Sequence, residues 1–173
     1  ALTHRGIQVT VVEKMGQVAP IYDEDVGDNI QKKLEDNGVK VRLNSALERI
    51  EGDTINGVTS VIVNGESLLA DMVLLAVGVR PNVELAKEAG IELGPTGAIK
   101  VNPYLQTNYP YIYSAGDCVE CTHLITGKPV WVPLGSTANR QGRILGINIT
   151  GGKRVFPGIL STAIFRVFDL NVA

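Results

Sequence analysis

Three absences narrow the class of protein. The sequence has only two cysteines, Cys118 and Cys121, which are too few for a disulfide framework and agree with a reducing, cytoplasmic location. No apolar run approaches the roughly 20 residues that a membrane helix needs. The net charge of −2 gives no electrostatic reason to expect a nucleic acid or an anionic membrane as partner.

Two further kinds of motif are missing. A Gly-x-Gly-x-x-Gly turn, which cradles the phosphates of a dinucleotide, occurs nowhere in the chain. Cys118, Cys121 and His123 together fall short of the four ligands of a structural zinc site, so we expect no metal. The first six residues lack the apolar block of a signal peptide and favour a helix that ends at Gly6. That beginning predicts a fragment of a longer protein.

What is present describes a globular chain of 173 residues with 45% hydrophobic content. The β-branched run from Ile7 to Val12 predicts a strand that ends at Glu13. Residues 23–37 predict a helix with acidic residues at its start and one apolar stripe, and residues 39–43 predict the next strand. Glycine-containing turns predicted at residues 51–53 and 64–66 indicate a β-meander within residues 47–69.

The second half carries weaker periodic signals. Residues 72–78 are apolar at every position, which predicts a strand buried on both faces of a parallel sheet. Asn82 is placed to cap a short helix over residues 83–89. Ser136 or Thr137 is placed to cap a longer helix from Ala138 to about Thr150.

The most informative stretch runs from Tyr109 to Asp117. Its Tyr-Ile-Tyr segment, residues 111–113, predicts a short strand, and the following Ser-Ala-Gly-Asp predicts a small-residue turn. Such a turn lets a ligand approach the backbone and places the Asp117 carboxylate beside it. That carboxylate suits the hydroxyls of a ribose or ribityl chain, and its alternative role is to cap a helix or turn.

These residues resemble a known family. Ser114–Asp117 is similar to the second FAD motif of the pyridine nucleotide-disulfide oxidoreductases, in which the aspartate holds the flavin ribityl chain. Residues 132–143 resemble the flavin-facing helix start, and residues 76–82 resemble the crossover between the two nucleotide domains. The closest resemblance is to the branch of NADH oxidases and coenzyme A-disulfide reductases.

The resemblance implies an α/β, partial Rossmann-like fold that lacks its first βα unit and carries a β-meander. It implies an incomplete NAD(P)-binding domain in residues 1–78, the returning FAD-domain segment in 79–155, and the start of a dimerisation domain in 156–173. It implies FAD and NAD(P)H as cofactors of the parent, with this fragment retaining neither. The implied cofactor-binding residues are Glu13, Gly78, Gly116, Asp117, Leu134, Gly135, Ser136 and Thr137.

The implied activity passes hydride from NAD(P)H to FAD and electrons on to a disulfide, persulfide or dioxygen. A reductase that serves a ferredoxin or oxygenase would share the fold and motifs. From another class, the alternative is a catalytically inactive, self-associating α/β fragment. A missing central strand leaves backbone edges unpaired, so we expect a neighbouring chain, in a homo-oligomer, or a rearranged strand of this chain to cover them.

Overall fold

The computed structural model describes residues 2–173, and Ala1 lies outside the described residues. The chain forms two compact units. The first comprises residues 2–76 and 164–173, and the second comprises residues 77–163. The expected mixed α/β fold with a β-meander is confirmed.

The first unit begins with the predicted strand–helix–strand order. After a short 3-10 turn at Thr3–Arg5, strand β1 (Val9–Val12) pairs in parallel with β2 (Val39–Arg42). Helix α1 (Glu24–Asp36) connects the two strands. Parallel strands need such a crossover because the end of one strand and the start of the next lie at opposite edges of the sheet. Among residues 2–173, no strand other than β2 pairs with β1, so no rearranged strand covers its other edge.

Helix α1 confirms the apolar stripe that its sequence predicts. Ile30 is only 3% exposed and packs with Val18 and Val172, while Val26 and Leu34 lie against the same cluster. The helix places Glu24 and Asp25 in its first turn and Lys33 in its last, as the helix dipole favours. The burial of one stripe therefore fixes α1 against the β1–β2 pair.

The β-meander consists of β3 (Leu47–Asp53), β4 (Gly57–Val63) and β5 (Glu66–Leu69), paired antiparallel in that order. Strand β3 continues through the predicted turn at residues 51–53 because bulges absorb the extra residues. The turn falls instead on residues 54–56, whose backbone amides at Ile55 and Asn56 donate to Oδ1 of Asp53. These hydrogen bonds hold the pKa of the Asp53 carboxyl below its usual value.

The C-terminal residues form a hairpin within the first unit, β8 (Phe165–Val167) with β9 (Leu170–Val172). Its side chains join the core below α1, and Lys33 forms an ion pair with Asp169. Phe165 and Tyr22 pack with ring centroids 5.7 Å apart. The hairpin therefore closes the apolar face of the first unit.

The second unit has little regular structure. It contains α2 (Glu84–Glu88), the two-residue strands β6 (Cys121–Thr122) and β7 (Pro129–Val130), and α3 (Gly135–Ile149). Leu105, Cys121, Phe156 and Ile159 form its core. Helix α2 begins at Glu84 with Val83 in the capping position, and the Asn82 side chain makes no capping bond.

The strand predicted over residues 72–78 does not form. The run forms neither strand nor helix, no strand of residues 2–173 pairs with it, and Leu74 and Val77 are more than four-fifths exposed. A strand buried on both faces needs hydrogen-bonding neighbours on its edges, and the described chain supplies none. Apolar composition alone was therefore misleading here.

The strand predicted over residues 111–113 is also wrong. Tyr111 is 94% exposed, and only Tyr113 makes a bridge, to Gln106. The Ile112 amide donates to the Tyr109 carbonyl, 3.1 Å away, across Pro110. Pro110 fits this tight turn, and the turn overrides the β propensity of the aromatic residues.

Candidate functional site: a turn beside a helix N-terminus

Three hydrogen bonds to successive backbone carbonyls fix the Gly116–Asp117 turn. Gly116 has φ +91°, a conformation that a residue with a Cβ rarely adopts. The Val119 amide donates to the Gly116 carbonyl across 3.1 Å, and Nε1 of Trp131 donates to the Asp117 carbonyl across 2.7 Å. The Ile99 amide donates to the next carbonyl, that of Cys118, across 2.8 Å. The backbone around Asp117 is therefore fixed.

The Asp117 carboxylate, in contrast, has no hydrogen-bond or ion-pair partner within residues 2–173, and the residue is exposed. The turn is thus not stabilised by its own aspartate side chain. The role of Asp117 as a local cap, which the sequence left open, has no support in these contacts. A fixed backbone with an open carboxylate is an arrangement that can accept hydrogen bonds from a ligand.

Helix α3 starts earlier than predicted. Leu134 is its N-cap residue, with φ −126° and ψ 130°, and its carbonyl accepts from the Ala138 amide across 2.9 Å. Ser136 and Thr137 therefore lie inside the first turn, and the prediction that one of them caps the helix is wrong. No side chain caps the helix. The amides of residues 135–137 keep their donors open within the described chain, and an electron-rich acceptor is favoured there.

The turn and the helix lie side by side. The Gly116 amide donates to Oε1 of Gln141 on α3, 2.7 Å away. A Cβ at Gly116 would lie 3.8 Å from the Cβ of Ala138, one helical turn from the start of α3. The structure thereby brings together two groups of candidate residues. One is the start of the helix, Leu134 to Thr137, and the other is the turn, Gly116 and Asp117.

Gln141 is a residue that sequence reasoning missed. It is fully buried at 0% exposure and bonds to Gly116 and Cys121. A glutamine in a helix ordinarily indicates a solvent-facing position. One signal was available, since Gln141 shares the face of Ala138 and Leu145 at helical spacing.

The two cysteines differ in environment. Cys121 is buried and Cys118 is partly buried, and neither is in a disulfide. Burial raises the pKa of the Cys121 thiol above its ordinary value of 9.0, although the hydrogen bond from Gln141 opposes that shift. The thiol is therefore neutral near pH 7, in a form that is a poor nucleophile. Within residues 2–173, no group of three or more histidine, cysteine or acidic side chains could hold a metal ion.

Glu13 lies in the first unit, directly after β1. Its backbone amide donates to the Arg42 carbonyl at the end of β2, so Glu13 sits where both parallel strands end. One carboxylate oxygen accepts from the Met15 amide across 2.8 Å. The carboxyl edge of a parallel sheet is where such folds bind nucleotides.

Gly78, the remaining candidate, lies in the second unit. It has φ +92°, and a Cβ there would meet nothing within 4 Å. Its glycine is therefore required by backbone conformation, while the open space around it leaves room for a ligand.

The mixed α/β fold is that of the Rossmann-like class of nucleotide-binding proteins. The family described as pyridine nucleotide-disulphide oxidoreductase matches residues 1–142. The chain belongs to this family, as its motifs predicted. An NADH oxidase of Methanocaldococcus jannaschii is 44% identical over 169 residues, which are 97% of this chain and 37% of that protein. Relatives named coenzyme A disulfide reductase also match, so the expected branch is confirmed.

Solved structures agree. An NAD-dependent persulfide reductase from A. fulgidus superposes with a TM-score of 0.87 at 44% identity, over 95% of this chain and 31% of that chain. An engineered water-forming NADPH oxidase, derived from a Lactobacillus brevis NADH oxidase, gives a TM-score of 0.86 at 28% identity, over 96% of this chain and 37% of that one. The chain therefore spans between 31% and 37% of the length of these relatives. Within residues 2–173, no helix is long and apolar enough to cross a membrane.

Proposed function

We propose that this chain supplies part of both nucleotide sites of an FAD-dependent NAD(P)H oxidoreductase. In the whole enzyme, hydride passes from NAD(P)H to FAD, and electrons pass on to a disulfide, a persulfide or dioxygen. Relatives named for NADH oxidation, persulfide reduction and coenzyme A disulfide reduction support this range of acceptors. No relative named above favours the alternative of an inactive, self-associating fragment.

The flavin site rests on one observation, the open Asp117 carboxylate on a fixed turn beside the uncapped start of α3. The residues present fit the cofactor. A carboxylate accepts hydrogen bonds from ribityl hydroxyls, and a Cβ at Gly135 would meet nothing within 4 Å, which leaves room for a ring system. Gly116, Leu134, Ser136 and Thr137 complete the proposed set.

Bound flavin supplies the acceptance of hydride and its release as electrons. The chain contributes orientation and electrostatics. Asp117 orients the ribityl chain through its carboxylate, and the first-turn amides of α3 lie where partial positive charge from the helix favours an electron-rich carbonyl. Negative charge that develops on that carbonyl is stabilised by the same amides.

We assign Glu13, in the first unit, to the hydroxyls of the adenosine ribose of NAD(P)H. Gly78, taken by itself in the second unit, would permit the close backbone approach of nicotinamide or flavin. The engineered NADPH oxidase offers support. The residues that were replaced in it include an aspartate, the alanine and the methionine that directly follow it, and a proline five residues after that methionine. Glu13, Lys14, Met15 and Pro20 have that same spacing. A carboxylate at the first position repels a ribose phosphate, so Glu13 favours NADH over NADPH.

The proposal extends to partners and location. The substrate is a small molecule or a thiol or disulfide compound, the enzyme is a cytoplasmic homo-oligomer, and neither nucleic acid nor membrane is a partner. Reduced Cys118 and Cys121 agree with a reducing compartment. The open edge of β1 accepts a strand from outside residues 2–173, including one from a second copy.

A flavin titration of the chain tests the proposal. FAD is added while the emission of Trp131, the single tryptophan, is followed. Asp117→Ala is expected to weaken FAD binding by about tenfold to a hundredfold, because a charged hydrogen bond contributes about 1.5–3 kcal/mol. The matched control is Glu88→Ala, which removes an exposed carboxylate of α2. Because we expect the fragment not to retain FAD through purification, the titration extends to a large excess of added FAD, where weak binding is measurable. Equal affinities of the two variants, or no binding by the unchanged chain even in that excess, would contradict the proposal.

A further inference from the structure

The side chain of Gln141 joins two segments that are far apart in the sequence. It lies in the second turn of α3, is fully buried, and accepts a 2.7 Å hydrogen bond from the Gly116 amide, 25 residues away in sequence. Its Nε2 donates to Sγ of Cys121 across 3.2 Å. Burying a side-chain amide without hydrogen-bond partners is unfavourable, so both bonds contribute to the stability of the folded chain.

The chemistry of the two partners fixes which way the amide points. A backbone N–H such as that of Gly116 only donates, so the atom that faces it must be the oxygen. The NH2 group is then left to face the Cys121 sulfur, a weak acceptor. Flipping the amide would bring two donors together at Gly116. The orientation of Gln141 is therefore determined rather than arbitrary.

The bond falls one residue before the proposed flavin aspartate. Gln141 anchors the Ala115–Gly116 peptide unit, and Trp131 anchors the Asp117–Cys118 unit through the Asp117 carbonyl, so side chains hold the chain on both sides of the Gly116–Asp117 unit. Only the Gln141 anchor belongs to the helix whose first turn forms the other half of the proposed site. It is thus the direct side-chain link between that helix and the amide next to Asp117.

We propose that Gln141 is a positioning residue, which fixes the Gly116–Asp117 turn against α3 and so sets the direction of the Asp117 carboxylate toward the ribityl chain. This inference rests on the proposed function for its ligand. The claim about the turn stands on the hydrogen bonds alone. Gln141 touches no cofactor and acts through Asp117.

Three variants of the full chain test it. Gln141→Met keeps the length of the side chain and removes the acceptor, while Gln141→Glu keeps an oxygen facing Gly116. The matched control is Asn148→Leu, which removes the second buried amide of α3, bonded to Tyr104 and Arg154. The readouts are amide hydrogen exchange at Gly116 relative to Ile99, the emission of Trp131, and FAD affinity.

Gln141→Met is expected to speed Gly116 exchange about tenfold or more relative to Ile99. It should also shift the Trp131 emission and weaken FAD binding about tenfold, as expected when one hydrogen bond to the turn is lost. Gln141→Glu is expected to restore Gly116 protection. Asn148→Leu, although destabilising, is expected to leave the Gly116 to Ile99 ratio unchanged.

Unchanged Gly116 exchange in Gln141→Met would overturn the proposal. Faster exchange with unaltered Trp131 emission and FAD affinity would also overturn it, because the bond would then not control Asp117. If the unchanged chain binds no FAD, the flavin assignment fails separately. Gly116 exchange and Trp131 emission still decide whether Gln141 holds the turn.

Discussion

The two units of the chain are built on different principles. The first is held by periodic elements whose apolar side chains meet in one cluster around Val18, Ile30 and Val172. The second has long irregular segments, and buried polar side chains tie these to one another and to α3. The proposed flavin contacts lie on the Gly116–Asp117 turn and at the start of α3. The irregular part of such a site needs polar anchors because irregular backbone cannot satisfy its own hydrogen bonds.

The largest expected effect comes from removing an apolar side chain from the core of the first unit. Ile30→Ala removes a side chain that is 3% exposed in the core of the first unit. It is expected to lower the free energy of unfolding of that unit by about 2–4 kcal/mol, through lost burial and the cavity that remains. Urea unfolding measures this loss of stability. Hydrogen exchange of the α1 amides shows whether the loss falls on the first unit.

Ile55→Ala is the matched control, because Ile55 lies in the same unit and is 90% exposed. It is expected to change stability by less than about 0.5 kcal/mol. Equal effects at the two positions would contradict the account of the first unit.

A somewhat smaller effect is expected when a polar side chain that links two segments of the second unit is removed. Oε2 of Glu120 accepts hydrogen bonds from the Thr96 amide at 3.0 Å and from its hydroxyl at 2.7 Å. Glu120→Ala is expected to cost about 2–3 kcal/mol, since two donors lose a charged acceptor in a half-buried place. Thermal unfolding measures the loss.

Glu120→Gln retains an acceptor oxygen and should recover most of that stability. Glu92→Ala, which removes an exposed ion pair with Lys100, should cost less than about 1 kcal/mol. If Glu92→Ala were as harmful as Glu120→Ala, surface charge rather than the half-buried hydrogen bonds between Glu120 and Thr96 would hold this unit.

The smallest expected effect is a dependence of stability on pH, and it distinguishes the two cysteines of the second unit. Burial raises the pKa of Cys121, so the folded chain keeps that proton more tightly than the unfolded chain does. This contribution to stability is fully present below the ordinary thiol pKa of 9.0 and is lost as pH rises through the raised folded pKa.

Cys121→Ala should therefore remove the part of the decline of stability that sets in as pH rises above the ordinary thiol pKa of 9.0. Cys118→Ala keeps the buried thiol and should retain the decline. Urea unfolding at several pH values compares the two variants. Identical pH profiles would show that burial of Cys121 is not linked to stability.

The same contrast explains which parts of the fold the sequence could predict. Helix α1 and the β-meander follow from periodic apolar residues such as Val26, Ile30 and Leu34. The run over residues 72–78 carries an equally strong apolar signal, yet it forms no strand. Pairing depends on neighbours that no local pattern reveals.

The candidate site divides in a similar way. Asp117 and the neighbourhood of α3 were predictable because a small-residue turn and a glycine-containing helix start leave a local signature. The start of α3 was misplaced because Ser136 and Thr137 are good capping residues that here lie within the first turn. The role of Gln141 could not be predicted, since its contacts with Gly116 and Cys121 span 25 and 20 residues of sequence.

A map of backbone amide shifts on addition of FAD tests the central claim most directly. The chain is isotopically labelled, and each assigned amide is followed during the titration. We predict that the largest changes cluster at residues 116–117 and 135–137, with small changes across the meander. Saturable changes centred elsewhere, with those five amides unmoved, would contradict the assignment of the flavin site to the Asp117 turn and the start of α3.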